Sequence, residues 1–131
     1  MNLSEELKKL VSGDVVSTEE ARTTYSHDAS LFEIKPEVIV YPKNVDDLCH
    51  IVNYVVENKS KNPNLSLTAR SGGTDMSGGA INDSIILAFD KYFNQLGDVQ
   101  GTQINTQPGV YYQEKKKKTL AHNLIFPSYP A

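Results

Sequence analysis

Arg70, Ser71, Gly72, Gly73, Thr74, Asp75, Ser77, Gly78 and Gly79 fall within ten consecutive positions, and their types and spacing point to anion chemistry. Four of the chain's eight glycines lie here. Glycine permits positive φ and lets a ligand come close to the backbone. A run of free backbone N–H groups in such a turn makes a concave anion site. Ser71, Thr74 and Ser77 add hydroxyl donors, and Arg70 adds charge. The job expected of this loop is to hold a phosphate or pyrophosphate. Two common phosphate loops do not fit. Gly73 and Gly78 have the Walker A spacing, but Gly79 and Ala80 stand where a lysine and a hydroxyl residue belong. There is no G-x-G-x-x-G, so the Rossmann fingerprint is absent. On composition alone, a surface turn rich in small residues remains the alternative.

The elements that must position this loop are legible around it. Residues 36–42, Pro-Glu-Val-Ile-Val-Tyr-Pro, are a strand signal of β-branched residues between prolines, continuous enough for burial on both faces. Asn44 caps a long helix to about residue 58, with Val45, Leu48, Val52, Val55 and Val56 on one stripe. Residues 65–69 form the next strand, so the chain reads β-α-β and enters the glycine loop at a strand's carboxyl end. Residues 84–89 give a third buried strand, and the three are expected side by side in one sheet. Residues 95–99 and 102–106 read as a hairpin around Gln100-Gly101, Pro108-Gly109-Val110 ends it, and residues 112–122 are helical. Upstream, residues 2–11 make a short helix capped by Asn2, with Leu3, Leu7 and Leu10 on one face; Gly13 breaks it. Ser17-Thr18-Glu19-Glu20 starts a second short helix, to about Tyr25. His27 and Asp28 then fall in a loop; without a placed nucleophile the pair is read as structure rather than catalysis.

The 131 residues suffice for one modest core. A net charge of −3 carries no nucleic-acid footprint. Lys115, Lys116, Lys117 and Lys118 read as a solvated helix face. Cys49 is the single cysteine, expected as a buried structural thiol, and one unpaired cysteine favours a reducing compartment. No signal core or membrane-length apolar run occurs, so a cytoplasmic protein is expected, with peripheral membrane association left open. The three histidines, His27, His50 and His122, show no metal-ligand spacing.

The run Arg70-Ser71-Gly72-Gly73-Thr74-Asp75-Met76-Ser77-Gly78-Gly79-Ala80 resembles the pyrophosphate loop of the FAD-linked oxidases related to vanillyl-alcohol oxidase. It is most similar to the branch of D-lactate dehydrogenases and glycolate oxidase subunits, whose loop reads roughly Arg-Gly-Gly-Gly-Thr-Ser-Leu-Ser-Gly-Gly. Ser71 replaces a glycine. Asp75 replaces a serine, and a carboxylate there repels a pyrophosphate unless it points away. The resemblance extends from about Tyr25 to the last residue. It includes Tyr25-Ser26-His27-Asp28-Ala29-Ser30, the Pro-x-Val-Ile-Val-x-Pro strand with its capped helix, Pro108-Gly109-Val110, and the extended residues 123–131.

The resemblance implies an α+β fold, a mixed α/β sandwich forming the truncated N-terminal part of a PCMH-type FAD-binding domain. Residues 1–30 would be an N-terminal helical segment, and residues 31–131 the first FAD-binding subdomain and the start of the second. It implies FAD held noncovalently by Pro42, Arg70, Ser71, Gly72, Gly73, Thr74, Asp75, Ser77, Gly78, Gly79, Pro108 and Gly109. Some relatives attach FAD through a histidine where Thr74 stands here, and no histidine lies between His50 and His122. The longer protein would oxidise a small 2-hydroxy acid such as D-lactate or glycolate, with its catalytic residues beyond this chain. The chain would expose apolar surface meant for the missing half and self-associate through it. The alternative is a noncatalytic truncated α/β module or interaction domain that does not bind flavin.

Overall fold

Asn2 and Thr18 each start a helix by the means their side chains allow. The structure, a computed structural model, describes residues 2–128; Tyr129, Pro130 and Ala131, the end of the expected extended segment, lie outside the described residues. The Asn2 side chain accepts the Ser4 N–H and opens α1 (Leu3–Leu10), whose Glu5 and Glu6 in the first turn and Lys8 and Lys9 in the last complement the helix dipole. Leu7 is fully buried, while Leu10 sits at the rim. Thr18 accepts from the Ala21 N–H and opens α2 (Glu19–Thr24). Between them lies β1 (Asp14–Val16), an element too short to carry a periodic signal. Gly13 does more than end a helix. A β-carbon there would fall 2.0 Å from the Tyr41 carbonyl oxygen, so the glycine lets β1 pass the neighbouring strand.

The three expected strands are β2 (Val38–Tyr41), β3 (Leu67–Arg70) and β4 (Ile85–Ala88), and they do share one sheet, in the order β1-β2-β4-β3. The last of them inserts in the middle. β4 pairs in parallel with β2, Val38 opposite Ile85 and Val40 opposite Leu87, and with β3, Leu67 opposite Ile85 and Arg70 opposite Ala88. β1 closes the β2 edge antiparallel. One face gathers Val15, Val38, Val40, Ile85 and Leu87 against Leu7, Ile51 and Leu65 beneath the helices; the other packs Ile39, Ile86 and Ala88 against Ala21, Tyr25 and Tyr41. Burial on both faces is why β2 and β4 read as unbroken apolar runs. Each fully buried Ile or Val contributes about 1.5–3 kcal/mol.

The connecting helix α3 (Val45–Asn58) presents a different stripe from the one expected. Asp47 and Ile51 are buried, Leu48, Tyr54 and Val55 pack partly on the core, and Val45, Val52 and Val56 are exposed. Cys49 shares the exposed side, correcting the expectation of a buried thiol. The physical reason is Asp47, which is drawn inward by backbone donors and rotates the helix about its axis. Downstream, β5 (Leu96–Gln100) and β6 (Gln103–Thr106) form a separate hairpin turning at Gly101, φ +60°. α4 (Tyr112–Leu120) lies against β5; Lys118 pairs with Asp98 at 2.7 Å, while the Lys115 ammonium sits 3.5 Å from the Phe126 ring centroid. Residues 124–128 join no helix or strand. Among the described residues no helix is long and apolar enough to cross a membrane.

Candidate cofactor-binding loop

β2, β3 and β4 run parallel, so Tyr41, Arg70 and Ala88 finish at one end of the sheet, and residues 71–80 leave the sheet there. Ligands of open α/β sheets collect at this end. A cleft of about 360 Å³ opens over the loop, lined by Ala69, Arg70, Gly72, Gly73, Thr74 and Asp75 among others.

Arg70, Ser71, Asp75 and Ser77 each have specific partners. Arg70 folds underneath: one guanidinium nitrogen donates to the His27 carbonyl at 2.7 Å and to the Tyr25 and Ala80 carbonyls at 3.4 Å. The guanidinium also lies 4.9 Å from the centroid of the Tyr25 ring. Gly73, at φ +66°, covers it, and a β-carbon there would meet an Arg70 nitrogen at 2.3 Å. Gly78, at φ +84°, packs on Phe32. The Ser71 hydroxyl donates to the Pro108 carbonyl at 2.6 Å. Asp75 turns toward its own loop, and the amides of Gly79 and Ser77 with the Ser77 hydroxyl hold its carboxyl below the usual range. Among the described residues, the amide N–H groups of Gly72, Gly73 and Thr74 have no hydrogen-bond partner.

The residues singled out in the sequence therefore separate by place. Arg70, Ser71, Gly72, Gly73, Thr74, Asp75 and Gly79 line the cleft, and Ser77 and Gly78 complete the same loop. Pro108 reaches it only through Ser71. Gly109 lies buried beneath, its amide donating to the Phe93 carbonyl at 2.8 Å, where a β-carbon would strike the Phe89 carbonyl at 2.1 Å. Pro42 is buried at the end of β2, at the same end of the sheet but outside the cleft lining. The loop of residues 25–32 is a strap holding the glycine loop. Besides the Arg70 contacts, the Ala29 amide donates to the Asp75 carbonyl at 3.0 Å. His27 pairs with Glu33 at the surface, and Asp28 accepts the Ser30 amide in a local turn. Sequence reasoning missed a corner beside Pro42 where Lys91 and Tyr92 meet Asp14, lowering its carboxyl pKa, and Lys43 approaches the Tyr92 ring. These residues come from three distant segments, so no local signal links them.

The family described as "FAD binding domain" matches residues 36–131. The chain belongs to the FAD-binding domain family. Curated relatives include D-2-hydroxyglutarate dehydrogenase of Haemophilus influenzae, 27% identical over 116 residues, which are 87% of this chain and 11% of the relative. The D-2-hydroxyglutarate dehydrogenase of Escherichia coli is 27% identical over 100 residues, 76% of this chain and 10% of that protein. The chain thus spans about a tenth of the length of the curated relatives it matches. Among solved structures, 6-hydroxy-D-nicotine oxidase from Arthrobacter nicotinovorans superposes with a TM-score of 0.69 at 21% identity, over 85% of this chain and 24% of that one. p-Cresol methylhydroxylase does so with a TM-score of 0.72 at 17% identity, over 92% and 24%. These structural likenesses speak to the fold.

The residues present fit the diphosphate of the family's cofactor. Three unpaired amides in succession, at a glycine of positive φ, are what an anion needs to approach the backbone. The arginine beneath adds positive charge without blocking the approach.

Proposed function

We propose that this chain is the pyrophosphate-holding part of a flavoprotein that oxidises a 2-hydroxy acid, with FAD bound noncovalently. The observation that carries the reading is the unpaired amide run of Gly72, Gly73 and Thr74 at the carboxyl end of a parallel sheet. The flavin, when bound, supplies the acceptor for the electrons of the alcohol carbon. This chain's residues bind and orient: the three amides take the diphosphate, Ser71 braces the loop against Pro108, and Arg70 sets its height over the strap. Noncovalent binding is supported by the loop itself, whose residues 70–80 include no histidine, cysteine or tyrosine. The 2-hydroxy acid class is supported by the curated relatives' names, which make D-2-hydroxyglutarate the first substrate to test, ahead of D-lactate and glycolate. Because the match covers about a tenth of those relatives, oxidation is proposed for the assembled flavoprotein. Self-association through exposed apolar side chains and a cytoplasmic location, which the single unpaired cysteine fits, belong to the same proposal.

Titration with FAD, followed by flavin fluorescence, tests the cradle. Saturable binding is expected, with the flavin released into the supernatant on acid precipitation. Gly73→Val should abolish it by closing the approach to the backbone. Equal affinity for the wild-type chain and Gly73→Val would return the stretch to an ordinary turn.

A further inference from the structure

Asp75 is the acidic side chain of the glycine loop; it is exposed at the cleft, and its carboxylate is tied to its own loop. Its Oδ1 accepts the Ser77 N–H at 2.7 Å, the Ser77 hydroxyl at 2.9 Å and the Gly79 N–H at 3.1 Å. The loop therefore has two halves. In the far half, the donors of Ser77 and Gly79 already have an anion, supplied by the chain. In the near half, the amides of Gly72, Gly73 and Thr74 have no partner among the described residues. We propose that Asp75 is the positioning residue of the cradle: its carboxylate takes an anion's place over the far half, fixes it, and leaves Gly72, Gly73 and Thr74 as the seat for the diphosphate. The inference rests on the pyrophosphate reading above.

Three features support it. A carboxylate oxygen accepts several charge-assisted hydrogen bonds, whereas a serine hydroxyl here would offer fewer, weaker acceptor sites. The far half is packed around the carboxylate: a β-carbon on Gly79 would come within 3.0 Å of Asp75 Oδ2, and one on Gly78 within 3.1 Å of the Phe32 ring. The main chain at Asp75 is itself anchored, through the Ala29 amide, to the strap that Arg70 holds. The Ser77 and Gly79 donors hold the carboxylate on the far half of the loop, which fixes where its charge sits relative to the open amides of the near half.

The test combines amide hydrogen exchange with ADP titration of the whole chain, ADP serving as a diphosphate probe without flavin. Asp75→Ala should speed exchange at Ser77 and Gly79 by about tenfold or more, leave Ile86 and Leu87 unchanged, and weaken ADP by about tenfold. Asp75→Asn keeps an Oδ1 acceptor and should stay within about threefold of wild type in both measurements. Unchanged exchange at Ser77 and Gly79 in Asp75→Ala overturns the proposal. ADP binding by Asp75→Ala as tight as wild type, or tighter, overturns the positioning role alone. No ADP binding by wild type overturns the seat and the pyrophosphate reading together.

Discussion

Gly72 and Gly73 are neighbours of identical type with unequal constraints. Gly73 combines a φ of +66° with an Arg70 nitrogen 2.3 Å from where a β-carbon would sit. Gly72 lies outside the positive-φ set, and the nearest atoms to a β-carbon there are 3.8 Å away. Gly73→Ala should therefore cost about 1–3 kcal/mol, from left-handed backbone strain and displacement of the Arg70 clamp. Gly72→Ala should change stability by less than about 1 kcal/mol, and toward stabilisation where the unfolded chain loses freedom. Urea unfolding of the two variants measures the difference, and equal losses would contradict the assignment. The sequence marks this loop as an anion cradle but ranks its members no further. Arg70 beside four glycines reads as charge for the ligand, and only the fold brings the Tyr25 ring and the carbonyls of Tyr25 and His27 beneath it.

At the scale of elements, local chemistry was legible and long-range chemistry was not. Asn2, Thr18 and Asn44 cap the helices that the sequence predicts, because a cap and its amide lie within three residues of each other. The buried stripe of α3 differs from the expected one because an apolar pattern alone weights Val45, Val52 and Val56 above Asp47. Asp47 accepts the amides of Ser12 at 2.8 Å, Gly13 at 3.0 Å and Lys43 at 2.8 Å, donors that include a segment more than thirty residues away. Ile51→Ala should consequently cost about 2–5 kcal/mol and Val52→Ala less than about 1 kcal/mol in chemical denaturation, the reverse of the predicted stripe. Asp47→Ala should cost about 1–3 kcal/mol, since it leaves several partly buried hydrogen bonds without their acceptor. Burial opposes the Asp47 charge, but the Ser12 and Lys43 amides, the Ser12 hydroxyl and the Gly13 amide outweigh it and lower its pKa. A carboxyl depressed in the folded state stabilises fully above its unfolded pKa, near 3.9, and that stabilisation disappears as pH falls through the folded value. Between neutrality and about pH 4 the Asp47 contribution should stay constant. Below about pH 4 the wild type should lose stability more steeply than Asp47→Asn; parallel acid-unfolding curves by circular dichroism would contradict this.

For the whole molecule, the β-α-β signal established a parallel sheet, but not that β4 enters between β2 and β3, since strand order is set by crossovers rather than by any one segment. The same limit hides which surfaces the folded chain leaves uncovered. Two apolar regions stand out. On α3, Val45, Cys49, Val52 and Val56 follow one another at spacings of four, three and four, the seam pattern of a helix made to pair, and all are exposed. Around the glycine loop, Leu31, at 102% exposure, joins Phe32 and Met76. Covering apolar surface of this kind is worth about 25 cal/mol per Å², so concentration-dependent self-association is expected in sedimentation velocity. Val52→Lys places a charge in the middle of the helical seam, and Phe32→Ser removes the ring of the second patch. If the seam mediates association, Val52→Lys yields monomer, and oxidation links wild-type chains through Cys49. If the loop patch does, Phe32→Ser yields monomer and oxidation leaves the chains unlinked. A wild-type chain that sediments as a monomer at every concentration would count against both surfaces.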